Sequence, residues 1–311
     1  MAHHLVLYVA FVAVAVLAPC ASGYPWQVCS GSSFAAGSKY LANINLVASS
    51  LPRNTSTSPF LFATAEAGAA PDKVWALALC RGDSNSTSCF SCLTQAFRDL
   101  PNICDYSIQA TVYYDSCMLH YSNASKDPVP DQTYLYFDYR NITSETGQFN
   151  SLVAKLVNAT ADYAAYTSTR RFATGEADFD MEFPKLYSSA QCTPNLTPAL
   201  CRECLAQLAM LQLPEFVDSA GAAALGITCS FRYQIYSFFN GPAMVRLPGP
   251  APLPSTAAPA PAPVPTVVSP PVTPTRVGGF LVDELGARVK VNNCLTHIRV
   301  ISFLRYFSSV G

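Results

Sequence analysis

The sequence has few charged residues. Of its 311 residues only 13% are charged, and 19 lysines and arginines nearly cancel 20 aspartates and glutamates. It therefore has neither the basic surface that nucleic-acid binding requires nor a polyacidic tail. The balance of charge excludes a nucleic-acid partner.

Histidine is also scarce. Of four histidines, His120 is the only one between residues 24 and 241. No Ser-His-Asp set, carboxylate pair or metal-ligating cluster stands out around it. We therefore expect no enzymatic activity, no cofactor and no metal, and we interpret His120 as an ordinary strand residue.

Long apolar runs are missing as well. The run Leu5–Ala18 is shorter than the roughly 17–25 residues of a membrane span, and small residues follow at 21–23. This pattern is typical of a signal peptide and predicts cleavage before Tyr24. An N-terminal anchor helix is the alternative, because Met1–His4 has no Lys or Arg. We expect a secreted chain with no transmembrane segment after cleavage.

Secretion predicts glycosylation acceptors, and six Asn-x-Ser/Thr triplets without Pro at x are present. They begin at Asn54, Asn85, Asn123, Asn141, Asn158 and Asn195. Such triplets also arise by chance in Ser- and Thr-rich chains. All six precede the proline-rich part of the chain, which favours the use of several.

Cysteine is the most informative residue, with twelve in the chain. Cys80, Cys89 and Cys92 have the spacing Cys-x8-Cys-x2-Cys, followed after 24 residues by Cys117. The same four-cysteine pattern recurs about 112 positions later, at Cys192, Cys201, Cys204 and Cys229. The flanking sequence recurs as well, since Phe62–Ala67 resembles Phe172–Ala177. The chain therefore contains two copies of one domain.

The copies differ at two cysteines. The first has Cys29 and Cys104, and the second has Phe216 where Cys104 would fall and no cysteine near its start. Because an unpaired thiol is a liability in an oxidising compartment, their joint absence predicts the bond Cys29–Cys104.

The other four cysteines of each copy allow three pairings. We favour Cys80–Cys89 with Cys92–Cys117, and Cys192–Cys201 with Cys204–Cys229, since two cysteines at one helix start reach different neighbouring strands. A zinc site or a redox pair is the alternative for Cys-x2-Cys. The signal peptide and the lack of nearby histidine argue against both. Cys20 leaves with the signal peptide, and Cys294 has no evident partner.

Hydrophobic periodicity predicts the same order of elements in each copy. The first copy has a helix from Tyr40 that Pro52 ends, a hairpin, a second helix and a closing strand. The predicted ranges are helices 40–51, 89–100, 149–164 and 201–213, and strands 60–67, 74–80, 111–121 and 227–238. This order indicates α+β domains with helices on an antiparallel sheet.

Residues 247–276 break the pattern with eleven prolines. Such a segment favours polyproline II and makes a semi-rigid stalk. The predicted organisation is therefore a signal peptide at 1–23, domains at 24–126 and 131–241, a proline-rich stalk at 246–276 and a disordered tail at 277–311.

The spacing Cys-x8-Cys-x2-Cys, with Leu79–Asp83 before it and Cys117–Ser122 after it, resembles the ginkbilobin-homologous domain of land plants, also called the stress-antifungal domain. Both copies resemble it, over about residues 26–241. The resemblance implies two helices on a five-stranded antiparallel sheet with three disulfides. It extends to cysteine-rich repeat secretory proteins and to the ectodomains of cysteine-rich receptor-like kinases and plasmodesmata-located proteins.

The founding ginkgo protein of this family binds mannose through an Asn, an Arg and a Glu. In the first copy these positions are Ser30, Thr111 and Ser122, and in the second the last two are Ala223 and Gln234. Thr and Ser do not replace a charge-assisted Arg–Glu pair, so mannose binding does not carry over. The resemblance therefore leaves the carbohydrate-binding residues of this chain unknown.

We therefore expect a secreted, non-enzymatic binding protein of the apoplast that engages a cell-wall or microbial glycan or an extracellular receptor in stress or defence. The alternative is the ectodomain of a truncated or partly represented receptor-like kinase. Tyr113, Tyr114, Tyr121 and Tyr233 are candidates for stacking on sugars, although strand aromatics more often lie in cores.

Overall fold

A computed structural model describes residues 25–124, 133–180 and 182–249. The predicted signal peptide, Cys294, the tail and the proline-rich segment beyond Gly249 lie outside these residues. Within this described part, no helix is long and apolar enough to cross a membrane.

The first repeat is a five-stranded antiparallel sheet with two helices on one face. Its strand order is β1-β4-β5-β3-β2. Its elements are β1 Trp26–Ser33, α1 Lys39–Thr57, β2 Phe62–Ala67, β3 Val74–Cys80, α2 Ser86–Ile103, β4 Ser107–Tyr113 and β5 Cys117–Ser122. The apolar faces of both helices pack on the sheet around Leu93, Leu119 and Tyr121.

The second repeat has the same plan with one strand added. Its elements are β6 Tyr134–Phe137, α3 Thr146–Tyr166, β7 Phe172–Asp178, β8 Lys185–Cys192, α4 Pro198–Gln212, a 3-10 turn Leu213–Phe216, β9 Gly221–Leu225, β10 Cys229–Gln234 and β11 Val245–Leu247. The order is β11-β7-β8-β10-β9-β6. The predicted α+β class, two helices on an antiparallel sheet in each repeat, is confirmed.

The sixth strand of the second repeat departs from the predicted plan. Strand β11 runs parallel to β7, beyond the boundary predicted at residue 241, and overlaps the start of the stalk predicted from 246. Its register places Arg246 opposite Glu176, and Arg246 Nη1 and Glu176 Oε1 form an ion pair of 2.9 Å. The second sheet therefore continues into the start of the predicted stalk.

The prediction that Pro52 ends the first helix is wrong. The helix α1 begins after Ser38, whose Oγ accepts the Leu41 N–H at 3.2 Å, and continues through Pro52 to Thr57. Pro52, Thr55 and Ser56 are buried. Packing of this last turn outweighs the hydrogen bond that proline cannot make.

The single strand predicted at 111–121 is wrong, because this segment is a hairpin of β4 and β5. Its turn closes with a hydrogen bond of 2.8 Å from Tyr114 N to Cys117 O. The strand predicted at 227–238 is shorter, and its hairpin partner β9 was not predicted. A tight turn between two apolar runs leaves a continuous apolar pattern, which periodicity interprets as one strand.

Five disulfides tie helices to strands. They are Cys29–Cys104, Cys80–Cys89, Cys92–Cys117, Cys192–Cys201 and Cys204–Cys229. These are the pairs named from the sequence. Cys29–Cys104 is the bond without a counterpart in the second repeat, and it fastens edge strand β1 to the end of α2.

The two repeats pack through the face of the first sheet that carries no helix. Trp75, Leu77, Leu79 and Met118 of that face form one apolar cluster with Ile227 of the second repeat. All seven residues of β3 are buried, since the helices cover one side of this strand and the second repeat lies on the other. The apolar run at 74–80 is the sequence signal of a strand buried on both faces.

Gly82 of the first repeat lies close against Phe172 of the second. A Cβ added at Gly82 would lie 2.4 Å from the Cβ of Phe172. We expect Gly82→Ala to lower the free energy of unfolding by about 1–3 kcal/mol through overpacking. Chemical denaturation measures this, with Gly147→Ala in α3 as the control, because a Cβ there meets no atom within 4 Å. Equal stability of the two variants would contradict the contact.

Candidate functional site

The positions that the resemblance assigns to sugar contact in the first repeat share the helix-free face of its sheet. Thr111 is fully buried and its Oγ1 lies 2.8 Å from His120 Nδ1. Ser122 is 2% exposed and its Oγ accepts the Ala124 N–H at 3.0 Å. Ser30 is half-buried on β1. A sugar reaching Thr111 or Ser122 would have to displace neighbouring groups, so these positions do not form an open site.

The matching positions in the second repeat are closed as well. Ala223 and Gln234 are both 0% exposed. Neither amide atom of Gln234 has a hydrogen-bond partner among the described residues, and its side chain lies against Gly221. The second repeat thus offers no open site at these positions.

A cleft lies between the repeats at one end of the first sheet. Trp26, Tyr113, Met118 and Leu79 follow one another across that sheet as register partners. The facing wall consists of the turn Gly226–Thr228, strand β10 and Phe238. We call this space the inter-repeat cleft. Its cavity volume is about 90 Å³, enough for several waters, and it opens to solvent.

Arg232 of β10 is the central polar group of the inter-repeat cleft. Its Nη1 lies 2.9 Å from Asp115 Oδ1 of the first repeat. Its Cζ is 4.4 Å from the centroid of the Phe238 ring and 5.8 Å from that of Trp26. Its Nε is buried and has no hydrogen-bond partner among the described residues. Arg232 thus joins the repeats and keeps one donor unused.

Tyr113 supplies the second unused donor. The residue is 5% exposed and lines the cleft, and its hydroxyl has no partner within the described part of the chain. Burial raises the pKa of the Tyr113 phenol, so it stays protonated. A buried polar group without a partner is costly, and a ligand or water would relieve that cost.

Two further aromatic rings lie beside Trp26, which lines the cleft. The Trp26 ring centroid lies 5.1 Å from that of Tyr136 and 6.4 Å from that of Tyr134, both on β6. Tyr236 beyond β10 is 43% exposed. Aromatic surface beside a few convergent donors is typical of ligand pockets. In the described residues, no group of three His, Cys, Asp or Glu side chains is placed to hold a metal.

The sequence motif Leu79–Asp83 positions one wall of the cleft. Arg81 Nη1 donates to the Phe238 carbonyl at 2.9 Å, and Asp83 Oδ2 accepts the Asn240 N–H at 2.6 Å. Arg81 and Asp83 also pair with each other, at 2.5 Å from Nε to Oδ1. The motif therefore holds the segment that carries Phe238 against Arg232.

The other predicted aromatic candidates are structural. Tyr121 and Tyr233 are buried in the two cores, where their hydroxyls donate to the carbonyls of Ser107 and Phe216 at 3.1 Å. Tyr114 donates to Asp99. Only Tyr113 of the four has an unused hydroxyl, because it points to the helix-free side of the sheet.

Sequence reasoning missed Trp26, Phe238 and Arg232 as candidate site residues. One signal was available for Arg232. It occupies the position in Cys229–Tyr233 that His120 has in Cys117–Tyr121, so a cation replaces a neutral ring at a repeated position. Trp26 and Phe238 lie outside the cysteine framework, and their meeting at Arg232 depends on the packing of the repeats.

The glycosylation acceptors stay predictions. All six asparagines have exposed side chains. Asn85 caps α2, where its Oδ1 accepts the Ser88 N–H at 2.8 Å. None of the six is among the residues that line the inter-repeat cleft, so glycans at these sites would leave its walls uncovered.

Comparison with known families decides the relationship. Residues 28–124 and 138–236 each match the family described as salt stress response/antifungal. The chain belongs to the salt stress response/antifungal family. The resemblance seen in the sequence is thereby confirmed for both repeats.

Members of this family include both short and long proteins. The chain is 33% identical over 217 residues to an antimicrobial ginkbilobin-2-like protein of Castanea crenata, covering 68% of this chain and 86% of that protein. It is 35% identical over 211 residues to cysteine-rich repeat secretory protein 38 of Arabidopsis thaliana, covering 66% and 81%.

Receptor-like kinases match over their ectodomains. Cysteine-rich receptor-like protein kinase 6 of Oryza sativa is 41% identical over 254 residues, which cover 76% of this chain and 36% of the kinase. The chain thus spans about a third of the length of such relatives.

A solved relative shows the same family fold. The tandem DUF26 ectodomain of PDLP8 from Arabidopsis thaliana has a TM-score of 0.53 and 20% identity, covering 67% of this chain and 96% of that one. The likeness supports the tandem arrangement of the fold.

Proposed function

We propose that this chain is an extracellular, non-enzymatic binding protein that holds its ligand in the inter-repeat cleft. One observation carries the proposal. The Tyr113 hydroxyl and Arg232 Nε are buried donors without a partner among the described residues, and both residues line a cleft that Trp26 and Phe238 also line. Such groups are retained at a cost to stability, and ligand binding is a physical reason for retaining them.

The apoplast is the proposed location. Support comes from the predicted signal peptide, from five disulfides that need an oxidising compartment, and from extracellular family members. A role in stress response or defence is proposed from the family and from its antimicrobial member. The ligand is proposed to be a glycan or a receptor segment that does not use the family's mannose positions.

The test is a binding screen with a matched pair of variants. The secreted full chain is screened against cell-wall and fungal glycans and against extracellular receptor domains. We expect Trp26→Ala to lower the affinity for a bound ligand at least about tenfold. The control Phe90→Ala removes a 41% exposed ring on α2 and should leave the affinity unchanged. Melting curves check that both variants are folded.

The screen also shows how the proposal fails. If ligands bind and Trp26→Ala has no effect, the inter-repeat cleft is not the site. If both variants lose affinity equally, the loss is not specific to the cleft and does not support binding there.

A second candidate function is the ligand-binding ectodomain of a receptor-like kinase. The 41% identity to the rice kinase over 254 residues favours it. Sequencing the transcript beyond the codon for Gly311 tests it. A following apolar segment of about 20 residues would support a membrane-anchored receptor, and a stop codon there would overturn it.

A further inference from the structure

The unused polar groups of the inter-repeat cleft are of one kind. Arg232 Nε–H can only donate, and the Tyr113 hydroxyl is a buried phenol that stays protonated. Each of these two donors therefore needs a hydrogen-bond acceptor. A ligand that fits this cleft presents carbonyl or ether oxygens toward it and few donors of its own.

The charges at the cleft are already paired. Arg232 has Asp115 as its partner, and Arg81 has Asp83. An anionic ligand would have to compete with these carboxylates for the guanidinium groups. A neutral ligand leaves both pairs in place, so the charges favour a neutral ligand.

The rings at the cleft offer flat apolar surface. The Trp26 ring lies near the Arg232 guanidinium and near the β6 rings of Tyr134 and Tyr136. Tyr134 and Tyr136 are two residues apart on one strand, which places them about 7 Å apart on the same face. The ligand therefore needs apolar groups repeated along an extended direction.

A proline-rich chain in the polyproline II conformation meets all three conditions. Proline has no N–H, and a polyproline II helix leaves every carbonyl free to accept hydrogen bonds. It is neutral, and its rings pack on aromatic grooves at low entropic cost. We infer that the inter-repeat cleft binds a proline-rich extracellular polypeptide, an inference that rests on the proposed function because it names the ligand of the same cleft.

The titration uses the full chain and a defined peptide. The probe is a blocked peptide Ala-Pro-Ala-Pro-Ala-Pro-Val-Pro, the sequence of residues 258–265 of this chain, with an Ala-Gly peptide of equal length as its control. Tryptophan fluorescence reports binding, because Trp26 lines the cleft whereas Trp75, the second of the two tryptophans, is buried outside its lining. We expect a saturable change with the proline peptide and none with the control.

The decisive variant is Tyr113→Phe. It removes only a hydroxyl that has no partner in the described structure, so the fold should keep its stability. We expect it to lower the affinity for the proline peptide about fivefold, which is equivalent to the loss of one hydrogen bond. Tyr166→Phe, at a 61% exposed tyrosine outside the cleft, should leave affinity unchanged.

A parallel titration with a neutral oligosaccharide separates the two proposals. If the sugar binds with sensitivity to Tyr113→Phe and the proline peptide does not bind, the inference is wrong and the proposed function stands. If neither probe binds, and Trp26→Ala changes the affinity for no ligand found in the screen, both proposals fail. Proline-peptide binding that Tyr113→Phe leaves unchanged would also overturn the inference.

Discussion

Replacing Cys29 and Cys104 together by alanine is expected to lower the free energy of unfolding by about 4.5 kcal/mol. The two cysteines are 75 positions apart in the sequence, so this bond closes the longest loop of the five. In the chain-entropy model, the longest loop gives the largest stabilisation. It also fastens β1, an edge strand that pairs only with β4 within the first sheet. Chemical denaturation of the variant and the wild type measures the difference.

Local measurements separate this effect from a general loss of stability. Amide hydrogen exchange should accelerate most in β1, whereas β5 at the centre of the sheet serves as the internal control. Because β1 carries Trp26, its fluorescence should shift toward that of a water-exposed indole. A stability loss below about 1 kcal/mol would show that pairing with β4 alone holds the strand.

A second large effect is expected from pH. His120 is 1% exposed on the helix-free face of the first sheet, where its Nδ1 meets Thr111 Oγ1 and its ring contacts Trp75 edge-on. Burial lowers the pKa of the His120 imidazole to about 4. In the unfolded chain a histidine has a pKa of about 6.5, so between these values the unfolded state binds a proton that the folded state does not.

Stability should therefore fall as the pH drops from about 6.5 to 4, by about 3 kcal/mol from this residue, and this contribution should level off below pH 4. The variant His120→Gln keeps a polar side chain but cannot titrate. We expect the stability difference between wild type and variant to change by that amount between pH 7 and 4. Parallel stability curves for the two proteins would refute the buried neutral histidine.

The acidic range matters for the cleft as well. His120 lies on the same face of the first sheet as Met118 and Tyr113. Its protonation would therefore place a charge on the face that joins the repeats. Charge in a desolvated interface is costly. We therefore expect the affinity of a cleft ligand to fall between pH 7 and 4 in the wild type by more than in His120→Gln.

Several features followed from the sequence because they are encoded locally or by repetition. The two copies of Cys-x8-Cys-x2-Cys located the domains, and the joint absence of two cysteines identified Cys29 with Cys104. Helix α2 was placed to within three residues at each end, since its apolar face repeats at helical spacing. The comparisons then confirmed the family for both repeats.

Other features depended on contacts between distant residues. Pro52 lies inside α1 because its turn is buried, and the hairpin of β4 and β5 was hidden in one apolar run. Strand β1 was not predicted from periodicity, since its residues alternate weakly and its place is fixed by β4 and by Cys29.

The sequence by itself determined the repeat, the disulfide framework and the α+β class, because cysteine spacing and helical periodicity are properties of short stretches of chain. Only the tertiary structure decided which face joins the repeats, that the family's sugar positions do not form an open site, and that Trp26, Tyr113 and Arg232 meet in one cleft. Those outcomes depend on two sheets docking face to face. Such docking is set by the summed shape and apolar area of residues more than a hundred positions apart, and no local pattern records it.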